Sequence, residues 1–191
     1  MATERGQNEQ AVVRAAQRGD KQALQLLFRN NWAWLKGLVY SIVQNADDID
    51  DILQDICVRV IKKIRSLRQP ERFRPWLAIL ARRQALRYRQ QKAQRQSMIH
   101  TELEELELDN ESSQLFENIE QKEQYQLILS AVKSLPEKYR QVFILEHIED
   151  LTYKQIAEIL DIPITTVQIR LVRARRMLYD WITEKNRVEE L

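Results

Sequence analysis

Between Leu151 and Leu178 two helical periods meet across a very short break, and few folds accommodate such a pairing. The first period opens at Thr152, with Gln155 three residues on. This is the Thr-x-x-Gln form of a capping box, in which each side chain satisfies an orphan backbone donor. Ile156, Ile159 and Leu160 supply an apolar stripe at helical spacing, and Ala157 is small enough for a crossing helix to approach. Asp161 ends the run and Pro163 blocks simple continuation. Thr165 and Gln168 repeat the capping pattern, so a second helix is expected to begin there. On it Val167, Leu171, Ala174 and Leu178 share one face. Thr166, Gln168, Ile169, Val172, Arg173 and Arg176 fall on the opposite side, with Arg170 and Arg175 at the seam. A short amphipathic helix, a tight break and a helix that is half apolar and half basic form the pattern of a helix-turn-helix. Its outer face has the chemistry of a major-groove reader. Arginine and glutamine hydrogen-bond base edges, apolar groups meet thymine methyls, and flanking arginines hold phosphates. A plain amphipathic helix with a solvated basic face has the same periodicity, so the choice rests on the rest of the chain.

That remainder reads as helix too. The 191 residues include 3 glycines and 4 prolines and no clear alternating strands, so an all-α protein of one or two small domains is expected. The net charge of +2 hides segregation. All five charges between Asp47 and Asp55 are negative. From Arg59 to Arg95, Glu71 is the only acid among thirteen basic residues. From Glu102 to Glu120 every formal charge is negative. Blocks of this kind mark partner surfaces or linkers. The single cysteine, Cys57, excludes an internal disulfide framework and is expected to be buried on an apolar helix face. Neither a signal peptide nor a membrane span is visible, so a cytoplasmic protein without membrane insertion is expected. His100 and His147 are too few and too separated for a metal cluster. Without a credible nucleophile, metal site or phosphate loop, no cofactor and no enzymatic chemistry is expected.

Along the chain, a short helix is expected from about Glu9 to Arg18, stopped by Gly19, with Asp20 as the N-cap of a second helix. That second helix carries Leu24, Leu27, Phe28, Leu35, Leu38 and Val39, with Trp32 and Trp34 expected in the core. In the third, Ile49, Ile52, Leu53, Ile56, Cys57, Val60, Ile61 and Ile64 recur at three- and four-residue steps. Acids at its start and bases at its end suit the helix dipole, yet the acids exceed what capping needs and favour a docking surface for a basic partner. A polar break, Ser66 to Phe73, precedes a long helix from Arg74 to about Arg95. Its Arg82, Arg83, Arg87, Tyr88, Arg89, Lys92 and Arg95 suit a nucleic-acid backbone and an unstacked base. Periodicity then fades into an acidic linker, 96–117, which separates a domain at 1–95 from a second at 118–191. In the second domain Ser134-Leu135-Pro136-Glu137 reads as a capping box launching a helix with Val142, Phe143 and Leu145. Trp181 and Ile182 are expected to cover the end of the helix-turn-helix.

With these elements in order, the chain resembles the extracytoplasmic-function sigma factors of the sigma-70 superfamily over nearly its whole length. AAQRGD (15–20) is similar to the family's opening element, and DDIDDILQDICVRV (47–60) to its acidic helix. Phe73-Arg74-Pro75-Trp76-Leu77 resembles its F-x-x-W-L signature. LPEKYRQVF (135–143), LTYKQIA (151–157) and the stretch from Thr166-Val167 through Arg173-Ala174-Arg175 resemble its region 4. The resemblance implies that Asp51, Gln54 and Asp55 dock on the β′ clamp of core RNA polymerase, whose β subunit is also a partner. It implies that Ser66, Arg68, Arg72, Phe73, Arg82, Arg83, Arg87 and Tyr88 capture and melt the promoter −10 element. It assigns the −35 element to Thr165, Thr166, Gln168, Ile169, Arg170, Val172, Arg173 and Arg176. The acidic linker is then expected to run through the polymerase, and an anti-sigma factor is expected as a regulator. The chain departs from the pattern at Arg83 and Arg87, where the family usually has asparagine and aspartate, and at Asp161, where a turn glycine is common. The reading is therefore a non-catalytic initiation subunit. Two other readings stand beside it: a stand-alone helix-turn-helix regulator, and a sigma-like interaction module that has lost melting.

Overall fold

The computed structural model describes residues 2–99, 130–148 and 151–189, and among these there is no strand. Helices α1 (Ala2–Gln17), α2 (Lys21–Val43), α3 (Ile49–Lys63) and α4 (Phe73–Ile99) form the N-terminal part. Two 3-10 turns, Ile64–Ser66 and Pro70–Arg72, connect α3 to α4. After helical residues 130–134 come α5 (Glu137–Glu146), α6 (Tyr153–Leu160) and α7 (Ile164–Glu189). The expected linker lies largely outside the described residues, and its first residues, 96–99, continue α4.

Local chemistry sets the corners. Gly19 takes φ +96°, which a side chain would resist, and turns the chain into α2. Asp20 then caps α2, its Oδ1 accepting from the backbone of Gln22 at 2.8 Å and Ala23 at 3.1 Å. Gln17 Nε2 donates to the carbonyls of Ile64 (3.0 Å) and Leu67 (2.7 Å), which fastens α1 to the turn after α3. The buried Asn31 donates to Leu27 O and accepts from Trp34 Nε1, both at 2.8 Å, so no polar group is stranded. Ala78, Ala81 and Ala85 are fully buried along α4, and such small side chains let α2 and α3 approach its axis.

Several sequence expectations are corrected. Ser134 does not cap α5; its hydroxyl donates back to Ala131 O at 2.7 Å, and Pro136 holds the cap position without a side-chain bond. Thr165 is not an N-cap either, because the helix begins one residue earlier, at Ile164. There the carbonyl of Pro163 accepts from Thr166 and Val167. Trp32 is 38% exposed rather than in the core, although Trp34 packs against it. Ile61 is 52% exposed, because α3 buries only the narrow stripe of Ile49, Ile52, Leu53, Ile56 and Val60. The first helix extends N-terminally well beyond Glu9.

The C-terminal helices do not stand apart. One apolar cluster runs from Val13, Leu38 and Leu77 through to Val142, Leu145, Ile148, Ile156 and Val167. Helix α5 packs on α2, and α6 on α4. Arg140 of α5, 2% exposed, sits at this junction. Its Nε donates to Ser41 O (3.1 Å) and its Nη1 to Lys133 O (2.8 Å) and Leu135 O (3.0 Å). The Gln44 carboxamide, turned to satisfy both of its atoms, accepts from the same guanidinium. The cation thus fills the electronegative C-terminal ends of α2 and of the 130–134 turn, which is why it needs no carboxylate. A second, smaller cluster of Ala131, Leu135, Tyr139, Ala174 and Leu178 holds α7 against α5, with Trp181 and Ile182 packed on its edge as expected.

Candidate nucleic-acid interface

The helix-turn-helix forms as its sequence requires. Gln155 N donates to Thr152 Oγ1 at 3.3 Å and Thr152 N donates to Gln155 Oε1 at 2.8 Å, completing the capping box. Asp161 closes α6 at φ 57°, ψ 52°, a left-handed position that aspartate tolerates better than most residues. With Val167, Leu171, Ala174 and Leu178 buried, α7 turns Thr165, Gln168, Ile169, Val172, Arg173 and Arg176 outward. Thr166 and Arg170 are half-buried at the edges. Ile169 is 53% and Val172 66% exposed, an unfavourable placement for apolar side chains unless a partner covers them. Arg175 pairs with Glu146 of α5 and so steadies the helix rather than facing outward freely. Arg176 lies 3.9 Å from Asp180, one turn on. A hydrogen bond from Arg173 holds the Tyr139 phenol below its ordinary value.

The N-terminal basic surface is divided in two. Arg59 and Lys63 from the end of α3 face Arg83 and Arg87 of α4 across a groove of about 240 Å³, with Trp76 and Leu80 supplying apolar lining. None of these four cations has an ion-pair partner among the described residues. The other half of the basic surface is engaged by the C-terminal helices. Arg72 pairs with Glu158 of α6, and Arg89 Nη1 pairs with Glu137 of α5 at 2.7 Å. Arg82 Nε donates to Gln141 of α5 at 3.4 Å, and burial pulls its guanidinium below the usual arginine value. Tyr88 is pushed above its ordinary value by burial and by its hydrogen bond to Asp48, which also pairs with Lys92 at 2.6 Å. Ser66 is exposed but its hydroxyl donates to Lys63 O at 2.7 Å, and Arg68 is exposed. Phe73 is a correction: at 1% exposure, with its ring 6.0 Å from that of Trp76, it is a core side chain and offers no surface to a base.

The acidic face of α3 presents Asp51 and Gln54 to solvent, with Val58 (47% exposed) and Ile61 beside them. Asp55 is exposed but committed, its Oδ2 accepting from Gln84 Nε2 at 2.8 Å. Cys57 is half-buried, and burial raises its thiol pKa, so it is held as a thiol rather than poised to react. Among the described residues no group of acids, cysteines and histidines could hold a metal. No helix among them is long and apolar enough to cross a membrane.

Sequence reading missed the Arg59–Lys63 contribution to the groove, the role of Gln84, and the apolar pair on α3. The signal for the groove was present as two i,i+4 cation pairs, Arg59/Lys63 and Arg83/Arg87, on helices expected to be neighbours.

Comparison with known proteins places two family matches on this architecture. Residues 27–95 match sigma-70 region 2, and residues 125–178 match sigma-70 region 4. The ECF RNA polymerase sigma-E factor of Haemophilus influenzae is 29% identical over 181 residues, covering 89% of this chain and 93% of the relative. Its counterpart in Escherichia coli K12 is 28% identical over 178 residues, covering 89% and 92%. Among solved structures, CnrH in complex with the cytosolic domain of CnrY has a similar fold (TM-score 0.62, 20% identity, 92% of this chain and 97% of that chain). The Bartonella quintana sigma factor RpoE, in complex with the anti-sigma factor NepR, matches with TM-score 0.63 at 20% identity, over 85% of this chain and 96% of that chain.

Proposed function

Because the chain belongs to the sigma-70 family, carrying regions 2 and 4 in order, we propose that it is an initiation subunit of the extracytoplasmic-function type. It binds core RNA polymerase and directs it to promoters through a −10 and a −35 element. The observation that carries this reading is the presence, in one chain, of an acidic helix face, a basic groove whose cations have no ion-pair partner among the described residues, and an exposed helix-turn-helix reader. Each answers one need: protein docking, capture of unstacked strand, and reading of duplex. Asp51 and Gln54 present the docking face. Arg68, Arg83 and Arg87 meet the −10 strand from surfaces already open, while Arg72 and Arg82 become available once α5 and α6 move. Thr165, Gln168, Ile169, Val172, Arg173 and Arg176 read the −35 element. Catalysis belongs to the polymerase; this chain supplies position. It acts where its polymerase is, in the cytoplasm. A second class of partner is an anti-sigma protein, since the similar Bartonella quintana sigma factor RpoE is in complex with the anti-sigma factor NepR.

The test is transcription from a genomic library by core polymerase with and without the purified protein. New, discrete start sites are expected only with both present. Tight, specific duplex binding by the protein alone, with no effect on start sites, would instead identify a stand-alone regulator.

A further inference from the structure

Asp55 is set apart from the polar residues that precede it on α3. Among the described residues Asp51 and Gln54 have neither a hydrogen-bond nor an ion-pair partner, so both stay open to a docking protein. Asp55 is already engaged, its Oδ2 accepting from Gln84 Nε2 across the seam between α3 and α4 at 2.8 Å. Gln84 is 6% exposed, and Ala81 and Ala85 beside it on α4 are fully buried. A carboxamide in such a seam is costly unless its donors are met. The Asp55 carboxylate is the hydrogen-bond partner that Gln84 has among the described residues, and an ionised acceptor makes the stronger bond.

The pair lies at the head of the basic groove. Arg59 and Lys63 follow Asp55 by about one and two turns of α3, while Arg83 and Arg87 flank Gln84 on α4. Gln84 itself lines the groove. Two rows of like charge thus face each other, none of them paired with a described acid, and their repulsion pushes the helices apart. Buried Ile56 and Val60 supply adhesion, but apolar contact has no direction. The Asp55–Gln84 bond is directional, and it joins the helices where both rows begin. We propose that Asp55 serves the groove and not the docking face. It is a positioning residue that, through Gln84, fixes the spacing of the two cation rows so that one strand backbone meets both. The proposal rests on the function proposed above, and it departs from the docking role that the family resemblance implies for Asp55.

The experiment compares two affinities of the full chain. One is for core polymerase. The other, in the assembled enzyme, is for a labelled single strand taken from a start site mapped by the transcription test. Asp51→Asn is expected to weaken core binding about tenfold. Asp55→Ala and Gln84→Leu should leave core affinity within about twofold, yet weaken strand binding about five- to tenfold. The double variant should bind the strand no worse than either single one, because the two side chains act as a unit. Asp55→Asn loses the charge but keeps an oxygen that accepts from Gln84, so it should retain most of the strand affinity and all of the core affinity. In Asp55→Ala the plot of log affinity against log salt should flatten by about 0.7–1.4, the loss of one or two phosphate contacts, which a mere fall in stability would not produce. A drop in core affinity of more than about threefold in Asp55→Asn would assign Asp55 to the docking face and overturn the proposal. So would additive losses in the double variant, or an unchanged strand affinity and salt slope in Asp55→Ala. Failure of the unaltered chain to bind core polymerase, or of the assembled enzyme to bind the strand, would instead overturn the proposed function.

Discussion

Arg140 shows how much one side chain carries here. It is nearly inaccessible, and desolvation pulls its guanidinium below the usual arginine value. Yet it remains a cation because backbone carbonyls from two helix ends converge on it. Arg140→Ala removes the donors of three charge-assisted bonds and leaves their carbonyls buried. A loss of about 3 kcal/mol in urea unfolding is expected. Arg140→Lys should recover only part, since an ammonium cannot reach both helix ends in the same plane. A loss under about 0.5 kcal/mol for the alanine variant would mean that water replaces the guanidinium without cost.

At the scale of the element, α2 and α7 make opposite demands. Gly37 lies mid-helix in α2 against α5, and a Cβ built there would meet Ile144 Cγ2 at 3.9 Å, an ordinary contact. Gly37→Ala should therefore raise stability by about 0.5–1 kcal/mol, read as a higher denaturation midpoint with unchanged slope. A fall would show that the α2–α5 seam tolerates no added methyl. In α7 the outward apolar residues Ile169 and Val172 lie outside the core, and on the proposed reading they meet DNA. Ile169→Ala should leave stability and core-polymerase binding unchanged while reducing −35-dependent transcription about five- to tenfold. Equal loss of polymerase binding would remove Ile169 from the reading face.

For the whole molecule, the closed arrangement has to change before both promoter elements are read. Elements centred near −10 and −35 are about 25 base pairs apart, roughly 85 Å of duplex at 3.4 Å per pair. A folded chain of this length has a radius of gyration of about 16 Å. The closed form also ties Arg72, Arg82 and Arg89 to α5 and α6. The exposed Arg72 and Arg89 ion pairs are worth at most about 1 kcal/mol each, whereas buried side chains such as Val142, Leu145 and Ile156 are worth about 1.5–3 kcal/mol. The apolar seam and Arg140 therefore dominate closure. Energy transfer between dyes on α3 and α7 should report a short distance in the free protein and an increase of more than about 30 Å on core polymerase. Glu137→Lys with Glu158→Lys should loosen the free form only modestly, and Arg140→Ala more. An unchanged distance on polymerase would rule out opening.

What could be read from the chain alone was what depends on neighbours in sequence. The all-helical class, the Asp20 cap, the Thr152–Gln155 box, the left-handed Asp161 and the buried stripes of α3 and α7 all arise from local dihedral preference and a period of 3.6 residues. The outward face of α7 followed from the same period. Burial of Phe73 and exposure of Trp32 did not, since each depends on which surface a distant helix covers. The same holds for the joining of the two parts through Arg140, which lies 99 residues from its acceptor Ser41. The α3–α4 groove and the Asp55–Gln84 bond likewise required the tertiary structure. Charge pairing and burial are properties of space, and periodicity along one helix says which face is apolar but not which partner meets it.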